Sequence, residues 1–264
     1  MSIRLFFLFF LFVNVAAFGA EVTFIAVDGK TDNIITQHGS GLHRRISPCS
    51  TFKIALGVMG YDAAILQDEE TPEWPNQGYE CFLESWRGPQ TPKTWMSRSV
   101  VWYSQLITPQ LGMDRIQKYL ANFNFGNQDM KGDPGKDNGL THAWLSSSLM
   151  ISPWEQIAFL KMLAHAKLPV SQEAQHKTQN ILFVEDLDGG WQLFGKSGTG
   201  SHTSDDGSQI PHRKIGWYVG WIKKQEDSVI FALAITDAET IPSPVERREL
   251  AKQFLQDAGL FLHD

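Results

Sequence analysis

Ser50-Thr51-Phe52-Lys53-Ile54-Ala55-Leu56-Gly57-Val58-Met59 is the stretch from which the rest of the chain can be read. Ile54, Ala55, Leu56, Val58 and Met59 are apolar on almost every side of a helix running from Ser50 to Ile65, so that helix is expected to be buried and central. Ser50 and Lys53, at i and i+3, share one face of its first turn. A serine hydroxyl attacks a carbonyl only with a base in hydrogen-bond reach, and burial turns a lysine into such a base by disfavouring its ammonium form. The free N–H groups at a helix start also suit a developing oxyanion. On these four residues alone, a capping serine beside a snorkelling lysine explains the pattern as well. Ser-x-x-Lys arises about once by chance in a chain of ordinary composition.

To either side, the chain changes character in blocks. Val22 to Val27 and Ile34 to Gln37 read as strands around a turn at Asp28-Gly29-Lys30. From about residue 67 to 185 the pattern is helical, broken by Pro- and Gly-rich loops. Ser152-Pro153-Trp154-Glu155 and Ser243-Pro244-Val245-Glu246 each open a helix with an N-cap, a proline at the first position and a capping-box glutamate. Gly259 fits the end of the last helix. Trp191 to Lys196, Ile215 to Ile222 and Val229 to Thr236 are further strands. Strands at both ends of a helical middle predict an α/β sheet domain (21–66 and 186–264) carrying an inserted helical domain (67–185). Sites commonly form where such parts meet.

Composition bounds the function. The chain has 264 residues, 42% hydrophobic and 20% charged, with a formal net charge of −6, which disfavours nucleic acid or an anionic membrane as partner. Residues 1–20 have the layout of a signal peptide: a basic start at Arg4, an apolar run from Leu5 to Val13, then small residues, with cleavage after Ala17, Gly19 or Ala20. The run is short for a membrane span, so the mature chain is expected to be exported and free of the membrane. An oxidising compartment permits a bridge between Cys49 and Cys81, closing a loop of roughly 30 residues worth roughly 3–4 kcal/mol, against two free thiols as the alternative. His202, Asp205, Asp206 and His212 fit an exposed loop between strands better than a metal site, and no metal is expected.

Two more motifs give Ser50 and Lys53 their context. Ser99-Val100-Val101 places a second serine among apolar residues, and Lys196-Ser197-Gly198-Thr199-Gly200 ends a strand. Ser-x-x-Lys, then a serine-led triplet, then Lys-Ser/Thr-Gly, in that order, is the pattern of penicillin-recognising serine enzymes. Gly190 to Ser197 also fits the phosphate-loop spacing, but its interior is strand-like and Gly198-Thr-Gly-Ser-His forbids the helix such a loop must open. With Phe125-Gly126-Asn127 and Trp144-Leu145 added, the chain resembles the class D (oxacillinase-type) serine β-lactamases over nearly its whole mature length. Pro48 to Ala55, Thr91 to Val101 and Leu145 to Gln156 are similar to the classical oxacillin-hydrolysing branch.

That resemblance implies the penicillin-recognising serine enzyme fold, an antiparallel sheet flanked by helices with an all-helical insertion. It implies hydrolysis of β-lactams in the periplasm, with a small-molecule substrate, no dissociable cofactor and no assigned oligomeric state. Ser50 would form an acyl-enzyme. Lys53 would carry a carbamate made with CO₂ (N6-carboxylysine), with Trp144 donating to it and Val101 and Phe125 walling its pocket. Ser99 would relay a proton to the lactam nitrogen. Lys196, Ser197, Gly198 and Thr199 would hold the substrate, the N–H groups of Ser50 and Thr199 forming the oxyanion hole, and Arg247 or its neighbour Arg248 would meet the substrate carboxylate. Phe125 departs from the family's usual tyrosine. A receptor that acylates without turnover shares these motifs and is the rival reading, as is an anchored transpeptidase.

Overall fold

The computed structural model describes residues 20–261, so the signal-peptide reading falls, but for Ala20, outside the described residues. Six strands form one antiparallel sheet: β1 (Glu21–Asp28), β2 (Ile34–His38), β3 (Phe183–Leu187), β4 (Trp191–Thr203), β5 (Gln209–Lys224) and β6 (Asp227–Ala238), in the order β2-β1-β6-β5-β4-β3. Between β2 and β3 run seven helices: α1 (Phe52–Asp62), α2 (Pro92–Arg98), α3 (Val101–Leu111), α4 (Met113–Asn122), α5 (Gly139–His142), α6 (Pro153–Ala164) and α7 (Gln172–Leu182); α8 (Pro244–Asp257) follows the sheet. No helix of the described residues is long and apolar enough to cross a membrane.

Both faces of the sheet are buried, which is why β6 reads as an unbroken apolar run from Val229 to Ile235 in spite of its antiparallel pairing. Alternate residues divide between two cores. Phe24, Phe231 and Leu233 pack with Ala251 and Leu255 of α8, while Ile25, Ile230 and Ala232 join the larger core containing α1, α6 and the helices around them. In α1 every residue from Phe52 to Tyr61 is buried, so the expected central helix is present. It starts two residues later than the sequence suggests, because Cys49–Thr51 form a 3₁₀ turn, and it stops at Asp62.

The capping boxes at Ser152 and Ser243 both form, each serine accepting from the glutamate N–H three residues on. Gly259, at φ +85°, closes α8 as expected, with Leu260 N–H bonded back to Leu255 O. Two features differ from the sequence reading. β4 and β5 run well past their expected ends, so His202 and His212 lie in strands and not in a loop. β3 was not anticipated. The phosphate-loop match lies mostly inside β4 with no helix after it, as its strand-like interior implied.

The β4–β5 pair leaves no room for side chains where Gly195 faces Gly220. A Cβ on Gly220 would lie 2.0 Å from the Phe194 carbonyl oxygen, a backbone atom that cannot step aside. Gly220→Ala is therefore expected to cost about 2–3 kcal/mol through overpacking. Urea unfolding checks this: the midpoint should fall with the slope unchanged.

Candidate active site

Three separate pieces of chain meet along the outer edge of β4. The first is the turn bearing Ser50. Cys49 sits at φ +50°, a conformation that non-glycine residues rarely adopt, and this kink lifts Ser50 out of the helix that follows. Ser47 Oγ donates to Trp144 O at 2.9 Å and accepts from Ser146 N at 3.0 Å, while Trp217 Nε1 donates to Ser47 O at 2.9 Å. On the other side of Ser50, Gln156 of α6 donates through Nε2 to Thr51 Oγ1 at 2.9 Å, wholly inside the protein.

Lys53 follows in the first turn of α1 and donates through Nζ to Ser50 Oγ at 3.2 Å. Its side chain is 0% exposed. Desolvation, and then the charge of Lys196, hold its pKa well below the ordinary lysine range. The spacing of Ser50 and Lys53 thus brings an amine whose proton affinity is lowered within hydrogen-bond reach of a hydroxyl.

Ser99 is the second piece. It joins α2 to α3 at φ +61°, and two indoles brace the strained junction: Trp86 Nε1 donates to Arg98 O at 2.9 Å, and Trp102 Nε1 to Trp86 O at 3.0 Å. Val101 is half-buried at the start of α3 and packs against the main core.

β4 is the third. Lys196 Nζ donates to Ser99 Oγ at 2.9 Å and to Ser197 O at 3.1 Å. It is 4% exposed, and burial, with Arg247 next, brings its pKa down to about 7. Gly198 lets the strand approach the Ser50 turn, since a Cβ there would lie 2.9 Å from Pro48 O and 3.3 Å from Thr51 N. Thr199 accepts at Oγ1 from Arg247 Nη2 at 2.7 Å. Arg247 reaches it because Gly216 on β5 has no side chain: a Cβ there would stand 3.0 Å from Nη1. Burial lowers the Arg247 pKa to about 10. Arg248 instead lies between Glu185 and Glu249.

Trp144 and Phe125 flank the ring of Phe52, at centroid distances of 5.3 and 5.8 Å. Trp144 Nε1 is buried and has no hydrogen-bond partner among the described residues, which is costly for an indole donor. Asn127 is structural: its side chain bonds Ser148 O and Met150 N, and Gly126 at φ +53° lies against Met150 O.

Thus the structure brings Ser50 to Lys53, Ser99 to Lys196, and Arg247 to Thr199. Sequence reasoning missed Ser47, Gln156 and Gly216. Only Gly216 carried a signal, since a lone glycine inside a strand marks a close approach. No group of His, Cys, Asp and Glu among the described residues is arranged to hold a metal ion.

The chain is similar in sequence and fold to known proteins. The penicillin binding protein transpeptidase domain matches residues 22–256. The chain is 41% identical to β-lactamase OXA-9 of Klebsiella pneumoniae over 215 residues, covering 79% of this chain and 76% of that one. It is 40% identical to β-lactamase OXA-1 of Escherichia coli over 220 residues, covering 83% and 77%. Among solved structures, the OXA-427 class D β-lactamase superposes with a TM-score of 0.82 at 41% identity, covering 89% of this chain and 97% of that one.

The expected bridge between Cys49 and Cys81 is absent; both are free. Cys49 is walled in beneath β4, its Sγ 3.6 Å from Ser47 O and directly under Gly200. Cys81 is held in its own loop, accepting from Asn76 Nδ2 at 2.8 Å. Each sulfur has its own local partners. Thiol titration of unfolded, unreduced protein should find both thiols. In the folded protein only Cys81 should react quickly, because burial removes Cys49 from solvent and pushes its pKa up to about 11.

Proposed function

We propose that this chain, which belongs to the class D serine β-lactamases of the penicillin-binding-protein transpeptidase family, hydrolyses the β-lactam ring of penicillin-type antibiotics through an acyl-enzyme on Ser50. The observation that carries this reading is the bond from a fully buried, solvent-starved Lys53 to Ser50 Oγ.

In acylation, Ser50 Oγ gives its proton to the base at Lys53 and bonds to the lactam carbonyl carbon, and the C–N bond breaks. The Ser50 and Thr199 N–H groups suit the oxyanion, a role supported by the close approach of β4 at Gly198. Ser99 Oγ, held by Lys196, hands a proton to the departing nitrogen. Lys196, Ser197 and Thr199 hold the substrate carboxylate, and the burial of Arg247 against Thr199 favours it over Arg248 for the same task. Water then attacks the ester on Ser50 and releases the opened ring as a carboxylic acid. A division into a sheet unit and a helical insertion, ending at 182 and not 185 because Phe183 already belongs to β3, would serve this chemistry, since Ser50, Ser99 and Lys196 arrive on separate segments.

A carbamate formed from CO₂ on Lys53 fits the residues present. Only a neutral amine captures CO₂, and Lys53 is held in that direction. The orphaned Trp144 Nε1 offers a donor to an unsolvated anion, and Phe125 and Val101 supply apolar wall. Bound there, the group supplies a carboxylate base for both half-reactions. Residues 1–20 support export to the periplasm as the place where the enzyme meets its substrate.

Ser50→Ala should keep the fold and lower kcat by about 10⁴-fold or more. Mass spectrometry with a slow substrate should find the adduct on the peptide holding Ser50; an adduct elsewhere overturns the assignment. For Lys53, ¹³CO₂ should give one carbamate resonance, missing from Lys53→Ala and weakened in Trp144→Phe. Activity lost on degassing at mildly acidic pH should return with bicarbonate. Full activity in enzyme shown to lack the resonance contradicts the carbamate.

A further inference from the structure

Ser47 lies outside every motif read from the sequence, yet the Ser50 turn, the Trp144 turn and β5 are all tied to it. It is buried, and its hydroxyl sits between the two peptide groups that flank Leu145. Ser47 Oγ donates to Trp144 O at 2.9 Å and accepts from Ser146 N at 3.0 Å. A longer bond reaches it from Cys49 N at 3.4 Å.

Trp144 depends on such an anchor. α5 ends at His142, and Trp144 follows in an irregular turn where Ser146 stands at φ +58°. A residue other than glycine keeps that conformation only where its neighbours hold it. Ser47 holds the turn on one side, and on the other Ser201 N of β4 donates to Ser146 Oγ at 2.9 Å. The indole packs on Phe52, 5.3 Å between ring centroids. With the ring set by Phe52 and the backbone by Ser47, the side-chain torsions of Trp144 leave its Nε1 little choice of direction.

Ser47 owes its own place to other groups. Ile46 exchanges backbone bonds with Ile151 at 3.0 and 2.9 Å, and Trp217 Nε1 donates to Ser47 O. Ser50 is braced separately through Thr51, which donates to Pro48 O and accepts from Gln156. Loss of the Ser47 hydroxyl therefore frees Trp144 while the Ser50 turn keeps these supports.

The consequence falls on Lys53, and so rests on the carbamate proposed above. Capture of CO₂ joins its carbon to Lys53 Nζ, releases one proton to water and leaves an anion among apolar walls. The orphaned Trp144 Nε1 is the donor at hand, and a hydrogen bond weakens steeply as its angle departs from a straight line. We infer that Ser47 is a positioning residue: its hydroxyl aims the Trp144 indole at Lys53, and so sets how tightly Lys53 holds CO₂.

The ¹³CO₂ carbamate resonance, followed against bicarbonate concentration at fixed pH, tests this. Ser47→Ala should raise the half-saturating concentration about tenfold, with kcat returning to within about threefold of wild type at saturation. Ser148→Ala removes a hydroxyl bonded to Gly132 N and Asp129 O nearby in the chain, and should leave half-saturation unchanged. Because Ser47 acts through Trp144, Ser47→Ala should cost nothing further in the Trp144→Phe background. If Ser47→Ala folds poorly, Ser47→Thr and Ser47→Val replace it, alike in shape, and only the valine should weaken CO₂ binding. Wild-type half-saturation in Ser47→Ala, an equal loss in Ser148→Ala, equal losses with and without the indole, kcat that stays low at saturation, or equal behaviour of the threonine and valine variants overturns the role of Ser47 and leaves the carbamate standing. No resonance in the wild type overturns the carbamate and the inference together.

Discussion

Lys53, Lys196 and Arg247 are buried together, 0%, 4% and 1% exposed, and among the described residues no carboxylate forms an ion pair with any of them. Burying one unpaired cation is expensive, and each lowers the proton affinity of the next. The consequences are visible in the directions of all three pKa shifts. They also run through stability. For Lys196, the folded chain releases its proton near pH 7 while the unfolded chain holds it to about 10.5, so this group adds stability as pH rises between the two. A site of this kind is completed by anions. Any carboxylate that enters relieves a penalty already present in the fold.

Holding such a site in place takes backbone strain as well. Cys49, Ser99 and Ser146 all have positive φ, at 50°, 61° and 58°, without being glycine. Strained residues persist only where the surroundings over-determine them. Here Ser47 ties the Cys49 turn to Trp144 and Ser146, Gln156 ties Thr51 to α6, and the Trp86 and Trp102 indoles brace Ser99. The large core around α1 is what makes those ties rigid.

Much of this was readable in the residues, for local reasons. The capping boxes at Ser152 and Ser243 are local chemistry, and both helices begin where that chemistry says. The apolar run of β6 was unmistakable because both its faces are buried. β4 and β5 were read short because Gly198, Gly200 and Pro211 look like turn residues, and only tertiary approach explains glycine there. β3 escaped because Phe183 to Leu187 continues directly from a helix and gains its pairing from β4. Ordered motifs singled out Ser50, Lys53, Ser99 and Lys196, and the fold brings them together in two hydrogen-bonded pairs. The Cys49–Cys81 bridge failed because loop entropy says nothing about where two sulfurs point. Gln156, one amide in an apolar helix, became legible only through its partner across the core.

The open edge of β4, useful to a substrate, has a second meaning for the chain as a polymer. From Gly195 to Thr203 the strand is paired on the β5 side alone, and the Ser50 turn and the helices around it are what shield the other edge. A bare strand edge is a template for another chain. If the helices loosen before the sheet does, two copies meet edge to edge, and the way back to the native state closes. The segments that bring Ser50 and Ser99 to β4 thus also cover its unpaired edge.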